Sequence, residues 1–401
     1  MKLVIKGEKV FDGKNVTPDN SILIEDGFIK EVGKNLKGDE VKEFPGSFLM
    51  PGMVDAHIHL SGATSGSLLM ESLAKDPRTR LLRASAWMEK LLRAGFTTVR
   101  DCGEENALFL RDAIKMGTLR GPNIFAAGKP LSQTFGHGEL SHTTPLEWNA
   151  QRGMSELCDG AEECIKAARK VFRQGSDFIK IFSTGGVLSE KDHPNQEQFT
   201  MDEIRAIVKE AEKAGTYVAA HAHGDAGIRN AIEGGSRTIE HFTLASEDTL
   251  KLMLKKDVSL TPTLSIQVLL KKYGRELGVN EWGLNKINEV MEGAAVMVPK
   301  ANKLGLNILC GTDLGFETGR DIDIGKNWTE LIFLAEMGGL TPVESLRTAT
   351  GNAGKIGMKA GTIKPGLPAD IVVINGDPGE DIREIEKITE VFRNGREVIS
   401  G

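Results

Sequence analysis

Eight histidines occupy this chain, His57, His59, His137, His142, His193, His221, His223 and His241, and most of them fall at the ends of short apolar runs. In MVDAHIHL, from Met53, two of them stand two residues apart. On a strand that spacing turns both rings to one side, where they can converge on one metal ion while Ile58 packs outward. The run DFIKIFSTGG sets Lys180 among Phe178, Ile179, Ile181 and Phe182. An uncompensated ammonium there is costly, so it calls for an anion, a water-filled exit or a chemical modification. Carbamylation would make it an anion able to bridge two cations, whereas an ion pair with an acid of a neighbouring strand would be its purely structural role. His221 and His223 end the next apolar run, His241 follows Glu240 in TIEHF, and Asp313 closes CGTD. A single such histidine is usually a core side chain satisfied by one hydrogen bond. Several polar residues that all terminate strands would surround one mouth if those strands form a barrel.

The elements that must position these residues are legible as a repeating change of period. Short apolar runs start at Met53, Thr97, Asn123, Asp177, Tyr217, Thr238, Ser259 and Asn307, and amphipathic stretches separate them at 69–93, 105–116, 159–174, 200–214, 224–232, 246–256, 280–303 and 327–339, with a last helix starting at Thr341-Pro342. Eight strand-helix units predict an α/β fold, a (β/α)8 TIM barrel. An open doubly wound sheet is the alternative, but the first unit lacks a glycine-rich dinucleotide turn. The first fifty residues read as short strands broken by Asp-Gly and Pro-Gly turns, and the last forty repeat that style, with Asn394-Gly395 marking a hairpin. Both ends together would build a small composite β-sandwich from 1–50 and 359–401 around a barrel domain at 51–358. The helix at 280–303 reads as packing surface, and Glu190, Lys191 and Asp192 in the loop from Thr184 read as solvated charges.

Composition narrows the classes of function. Fifty basic residues against 56 acidic ones leave a formal charge of −6, without the cationic excess that nucleic acid or an anionic membrane would call for. No apolar stretch is long enough to span a bilayer, and the opening MKLVIKGEKVFDG lacks the apolar segment of a secretory signal, so a cytoplasmic protein is expected. Cys102, Cys158, Cys164 and Cys310 form no CxxC pair and read as ordinary thiols.

The stretches FLMPGMVDAHIHL, FIKIFSTGG, VAAHAHG, TIEHF and CGTD, with the tail GTIKPGLPADIVVI, resemble the metal-dependent amidohydrolase superfamily over nearly the whole chain. The HAHG and IEHF motifs resemble most the branch of prolidase-like dipeptidases and imidazolonepropionase-related proteins. The resemblance implies that His57, His59 and Asp313 bind the more buried of two divalent ions, that His221 and His241 bind the second, and that Lys180, as N6-carboxylysine, bridges both. His223 would contact substrate or support the metal shell, or ligate in place of His221. His137 matches a histidine near the substrate's carbonyl or carboxylate. Homo-oligomerisation is implied in the same way.

Such a site would hydrolyse an amide or peptide C–N bond with a hydroxide shared by the ions, zinc by default and cobalt or manganese as substitutes. Asp313 would move the proton to the departing amine, and His137 or His223 would stabilise charge on the carbonyl oxygen. The presence of Lys180 favours dipeptides, Xaa-Pro or related, or N-acyl amino acids. Hydrolysis of a cyclic amide, imidazolone or lactone is the alternative, and an inactive metal-binding scaffold is a further one. The small-molecule pocket would draw on loops 129–158, 184–199 and 314–327, with His137, His142, Arg152, His223 and Arg320 as candidate substrate contacts.

Overall fold

The computed structural model describes residues 2–139 and 144–399. Two parallel sheets close into a barrel. Met53–Ile58, Phe96–Asp101 and Asn123–Ala126 are neighbours in one, and the other carries Ile179–Phe182, Val218–Gly224, Thr238–Leu244 and Ser259–Thr261 in sequence order. One seam is closed where Asp177 N donates to Ala126 O at 2.8 Å. The other is closed by a bridge between Leu260 and Ile308, and by Ala56 N and Asp313 N donating to Cys310 O and His57 O, at 2.7 Å each.

The eighth expected strand, from Asn307, is not a regular one. Cys310 N turns away to Thr348 O, Gly311 lies so close that a Cβ would stand 2.7 Å from His57 Cβ, and Asp313 has φ +55°. A chain that must pass this close to the first strand and then turn cannot sustain a ladder. The expected helix 69–93 is two, Leu68–Ala74 and Pro77–Arg93, because Pro77 cannot continue a helix and Asp76 caps the new one, accepting from Arg78 N at 2.8 Å. A helix at Leu264–Tyr273 was not expected at all.

The covering helices follow the periodic pattern. Ala161–Gln174 buries Cys164, Ala167, Ala168 and Val171, the i, i+3, i+4, i+7 stripe, and ends at Gly175 with φ +104°. The last helix starts at Pro342 behind a capping box of Thr341 and Glu344.

Both chain ends build one small sandwich. A four-stranded sheet of Phe28–Gly33, Ser21–Glu25, Lys2–Lys6 and Glu40–Glu43 faces a six-stranded one in which Ile371–Asn375 pairs antiparallel with Ser47–Pro51. Alternation divides that second sheet cleanly: Val10, Leu49, Ile371 and Val373 pack into the sandwich, whereas Phe11, Phe48, Met50, Val372 and Ile374 pack against the barrel side, with Phe96, Leu331 and Leu346. Asn394 and Gly395, φ +49° and +69°, make the hairpin between Ile388–Arg393 and Arg396–Ile399. No helix among the described residues is long and apolar enough to cross a membrane.

Candidate metal centre

The C-terminal ends of the barrel strands bring their polar residues to one cavity. His57, at the end of Met53–Ile58, is fully buried, and its ring lies 5.3 Å from that of His59 and 5.2 Å from that of His241. The ring of His221 lies 4.6 Å from that of His241 and 4.9 Å from that of His223. Asp313 Oδ1 approaches His59 Nε2 at 2.9 Å and His57 Nε2 at 3.3 Å. Lys180 lines the same cavity, 2% exposed, with its amine 5.9 Å from the centre of the Phe182 ring.

Strand alternation alone would not assemble this set. Glu240 and His241 are adjacent, yet both turn inward, because His241 and Phe242 take φ +77° and +46°. Left-handed backbone at non-glycine residues costs energy, and here it aims a ring. Asp313, φ +55°, is turned in the same manner.

Each ring is held by a hydrogen bond at one nitrogen, which leaves the other for a ligand. His57 Nδ1 lies 2.8 Å from Glu240 Oε2, and His59 Nδ1 lies 3.0 Å from Gly103 O. His221 uses Nε2, 3.1 Å from Gly185 O. His223 and His241 use Nδ1, 2.8 Å from Thr243 Oγ1 and 2.7 Å from Thr263 Oγ1. Fixing one nitrogen sets tautomer and ring plane, the usual preparation of a metal-binding imidazole.

The ionisation states of His221, His223 and His241 agree with that preparation, whereas nearby negative charge, Asp313 included, outweighs burial and raises His57 and His59. Burial, with the neighbouring rings and Lys180, holds His221 and His241 well below the ordinary histidine range and brings His223 down to about 3, so all three are neutral donors. Burial opposes ionisation of Asp313, but His57 and His59 outweigh it and keep the carboxyl well below its usual range. Three sets of donor atoms are compact enough for an ion, and two of them line the cavity, His221 with His223 and His241, and His57 with His241 and Asp313. His57 Nε2 is buried with no hydrogen-bond partner among the described residues. An orphaned imidazole nitrogen beside a carboxylate and further neutral imidazoles is a donor set that fits a divalent transition metal. A third compact set, His57, Cys102 and Glu240, lies on the other side of the His57 ring, where Arg100 Nη2 already holds Glu240 Oε1 at 2.8 Å. Its charge is met by a guanidinium.

Of the expected substrate contacts, His223 and His137 line the cavity, and the His137 ring stacks on His221 at 4.5 Å. Arg152 is exposed and does not line the cavity. Arg320 is exposed as well, bound to Glu276 at 2.7 Å and set 5.3 Å from the centre of the Tyr273 ring. His142 lies outside the described residues. The loop from Thr184 departs from expectation: Asp192 is buried, 7% exposed, because Lys286 of helix Glu281–Lys303 reaches under it. Glu240, Arg100, Thr243 and Thr263 escaped sequence reasoning. The signal for Glu240 was its place beside His241, and for Arg100 it was a charge inside the apolar run from Phe96 to Asp101. Much of the remaining wall is apolar, with Phe182, Val187, Ile266, Leu270, Ile287 and Val290, and Ser61, Glu104 and Gln267 line it as well.

Residues 48–398 match the Amidohydrolase family. Ochratoxinase of Aspergillus niger is 33% identical over 377 residues, which cover 87% of this chain and 75% of that protein. Its crystal structure superposes with a TM-score of 0.89 at 28% identity, over 100% of this chain and 96% of that one. A prolidase complexed with N-methylphosphonate-L-proline, 31% identical, gives a TM-score of 0.91 with both chains covered in full. A Xaa-Pro dipeptidase with bound methionine in the active site, 30% identical, gives 0.89, also with both chains covered in full.

Proposed function

The chain belongs to the amidohydrolase family, and from that premise we propose that it hydrolyses the amide C–N bond of a dipeptide or N-acyl amino acid with an apolar side chain. The observation that carries this reading is the convergence of His57, His59, His221, His241, Asp313 and Lys180 on one cavity walled in large part by apolar side chains. The similarity to a prolidase, a Xaa-Pro dipeptidase and an ochratoxinase supports the bond type.

His57, His59 and Asp313 would hold one divalent ion, and His221 and His241 the second, with zinc as the metal and cobalt or manganese as substitutes. Lys180 is assigned as N6-carboxylysine shared by both. Its support is burial in an apolar strand where no acidic side chain pairs with its amine among the described residues. Ions held there supply a Lewis acid for the scissile carbonyl and bring the pKa of coordinated water towards neutrality.

The chain's own groups do the rest. Asp313, ionised and in contact with both His57 and His59, takes a proton at a carboxylate oxygen and returns it to the departing amine. His137 and His223 flank the reacting carbonyl from the cavity wall, and Phe182, Val187 and Ile287 exclude water from around it. A homo-oligomer and a cytoplasmic setting, in which the four buried thiols stay reduced, complete the reading.

The test is a mass-spectrometric turnover screen of zinc-loaded protein, supplied with bicarbonate, against dipeptides and N-acyl amino acids with proline, apolar and basic residues. Cleavage of the apolar set, abolished by chelation, is the expected result. No cleavage anywhere in the screen, on protein verified to carry its metal, would overturn the linear-amide assignment.

A further inference from the structure

His137 reaches the cavity from the segment that follows Leu131–Ser132, yet both its backbone and its ring are gripped by a different segment, the loop 184–199. Its backbone N donates to Gln198 Oε1 at 2.9 Å, and its Nδ1 lies 2.7 Å from Ser189 Oγ and 3.6 Å from Asp192 Oδ2. The ring lies so close over Gly186 that a Cβ there would stand 2.2 Å from His137 Cε1. Only glycine leaves room for it.

The hydrogen-bond directions around Asp192 can be worked out from its partners. Gly186 N and Gln198 Nε2 donate to Oδ2 at 3.3 and 3.2 Å, and Lys286 Nζ stands 3.5 Å from Oδ1. The Ser189 hydroxyl donates to Oδ1. Burial works to keep a proton on this carboxyl, but His137, Ser189 and Lys286 outweigh it and bring it down to about 2, so every partner meets an acceptor. Ser189 has one proton, and Asp192 takes it. The oxygen of Ser189 can then only accept from His137, which requires a proton on Nδ1. Lys286 locks the arrangement by donating to the carbonyls of Gly186, Ser189 and Asp192 as well.

We propose that Ser189 and Asp192, pinned by Lys286, are positioning residues that keep the proton of His137 on Nδ1, so that Nε2 is the ring atom offered to the substrate. The logic is that of a carboxylate orienting an imidazole in a hydrolytic triad, with a serine hydroxyl interposed. Nε2 can give or take one proton while Nδ1 keeps its own. What Nε2 then does rests on the amide-hydrolase reading; the placement of the Nδ1 proton does not.

The experiment is ¹⁵N NMR of zinc-loaded full-length protein labelled at histidine, with the His137 signals identified by their loss in His137→Gln. The expected result is a protonated Nδ1 in the wild type. Ser189→Ala and Asp192→Asn should release the ring to the Nε2–H form and lower kcat about 100-fold with little change in KM. Ser189→Thr should restore both readouts. A wild-type His137 protonated at Nε2 with bare Nδ1 would overturn the proposal, and so would a Ser189→Ala protein with unchanged tautomer. If the variants do not fold, the wild-type spectrum alone decides. If no amide is cleaved, the tautomer still decides this inference separately from the hydrolase reading.

Discussion

The two halves of the metal centre are built from similar rings and supported in opposite ways. On the side of His57 and His59 the support is ionic: Asp313 lies among the donors, and behind His57 stands Glu240, itself held by Arg100 in a fully buried pair. On the side of His221, His223 and His241 the support is neutral, a backbone carbonyl and two threonine hydroxyls. An anionic donor and a carboxylate-backed imidazole raise affinity for a cation more than neutral rings oriented by neutral groups. On the two-ion reading proposed above, the first half would hold its ion more tightly than the second.

The harshest way to break that contrast is Asp313→Asn, which removes the anionic group beside His57 and His59 and, on the proposed reading, the proton carrier. Turnover should fall about 1000-fold, measured on protein reloaded with zinc. Lys180→Ala should come next, with bound zinc falling from two ions towards one and turnover falling with it, by elemental analysis of the same preparations. Glu240→Gln sharpens the comparison: affinity for the first ion should fall about 10- to 100-fold, whereas Thr263→Val, its counterpart on the neutral side, should cost the second ion less than about tenfold. Chelator competition separates the two.

A further expected effect lies outside the centre. The Asp192 carboxyl sits at about 2 in the folded chain against an ordinary 3.8. The folded state thus binds fewer protons, and the contribution, about 2 kcal/mol, is fully present above the ordinary value and is lost as pH falls through the folded one. Urea midpoints of the wild type should drop more steeply than those of Asp192→Asn between about pH 4 and pH 2.

The barrel and the histidines were legible because strands alternate and because a histidine at the end of an apolar run is conspicuous. The supports were not. Alternation places Glu240 opposite His241, and only the left-handed backbone at His241 and Phe242 brings both inside. Asp192 stands in a loop of charged residues, where solvation is the ordinary fate, and its burial depends on Lys286, 94 positions away. The helix at Leu264–Tyr273 hides behind Pro262 and a left-handed Thr263, which read as the end of a strand rather than the start of a helix. The sandwich was the easier part, since its apolar residues alternate and its Asn-Gly turn has a single natural geometry.

Zinc should bind at one centre with an ionic and a neutral half. Stepwise zinc titration of the full chain against a chromophoric chelator, in bicarbonate, tests it most directly. Two resolved binding steps are expected, with Glu240→Gln weakening the tighter step alone. A protein that binds no zinc, or a Glu240→Gln variant in which both steps weaken equally, would contradict it.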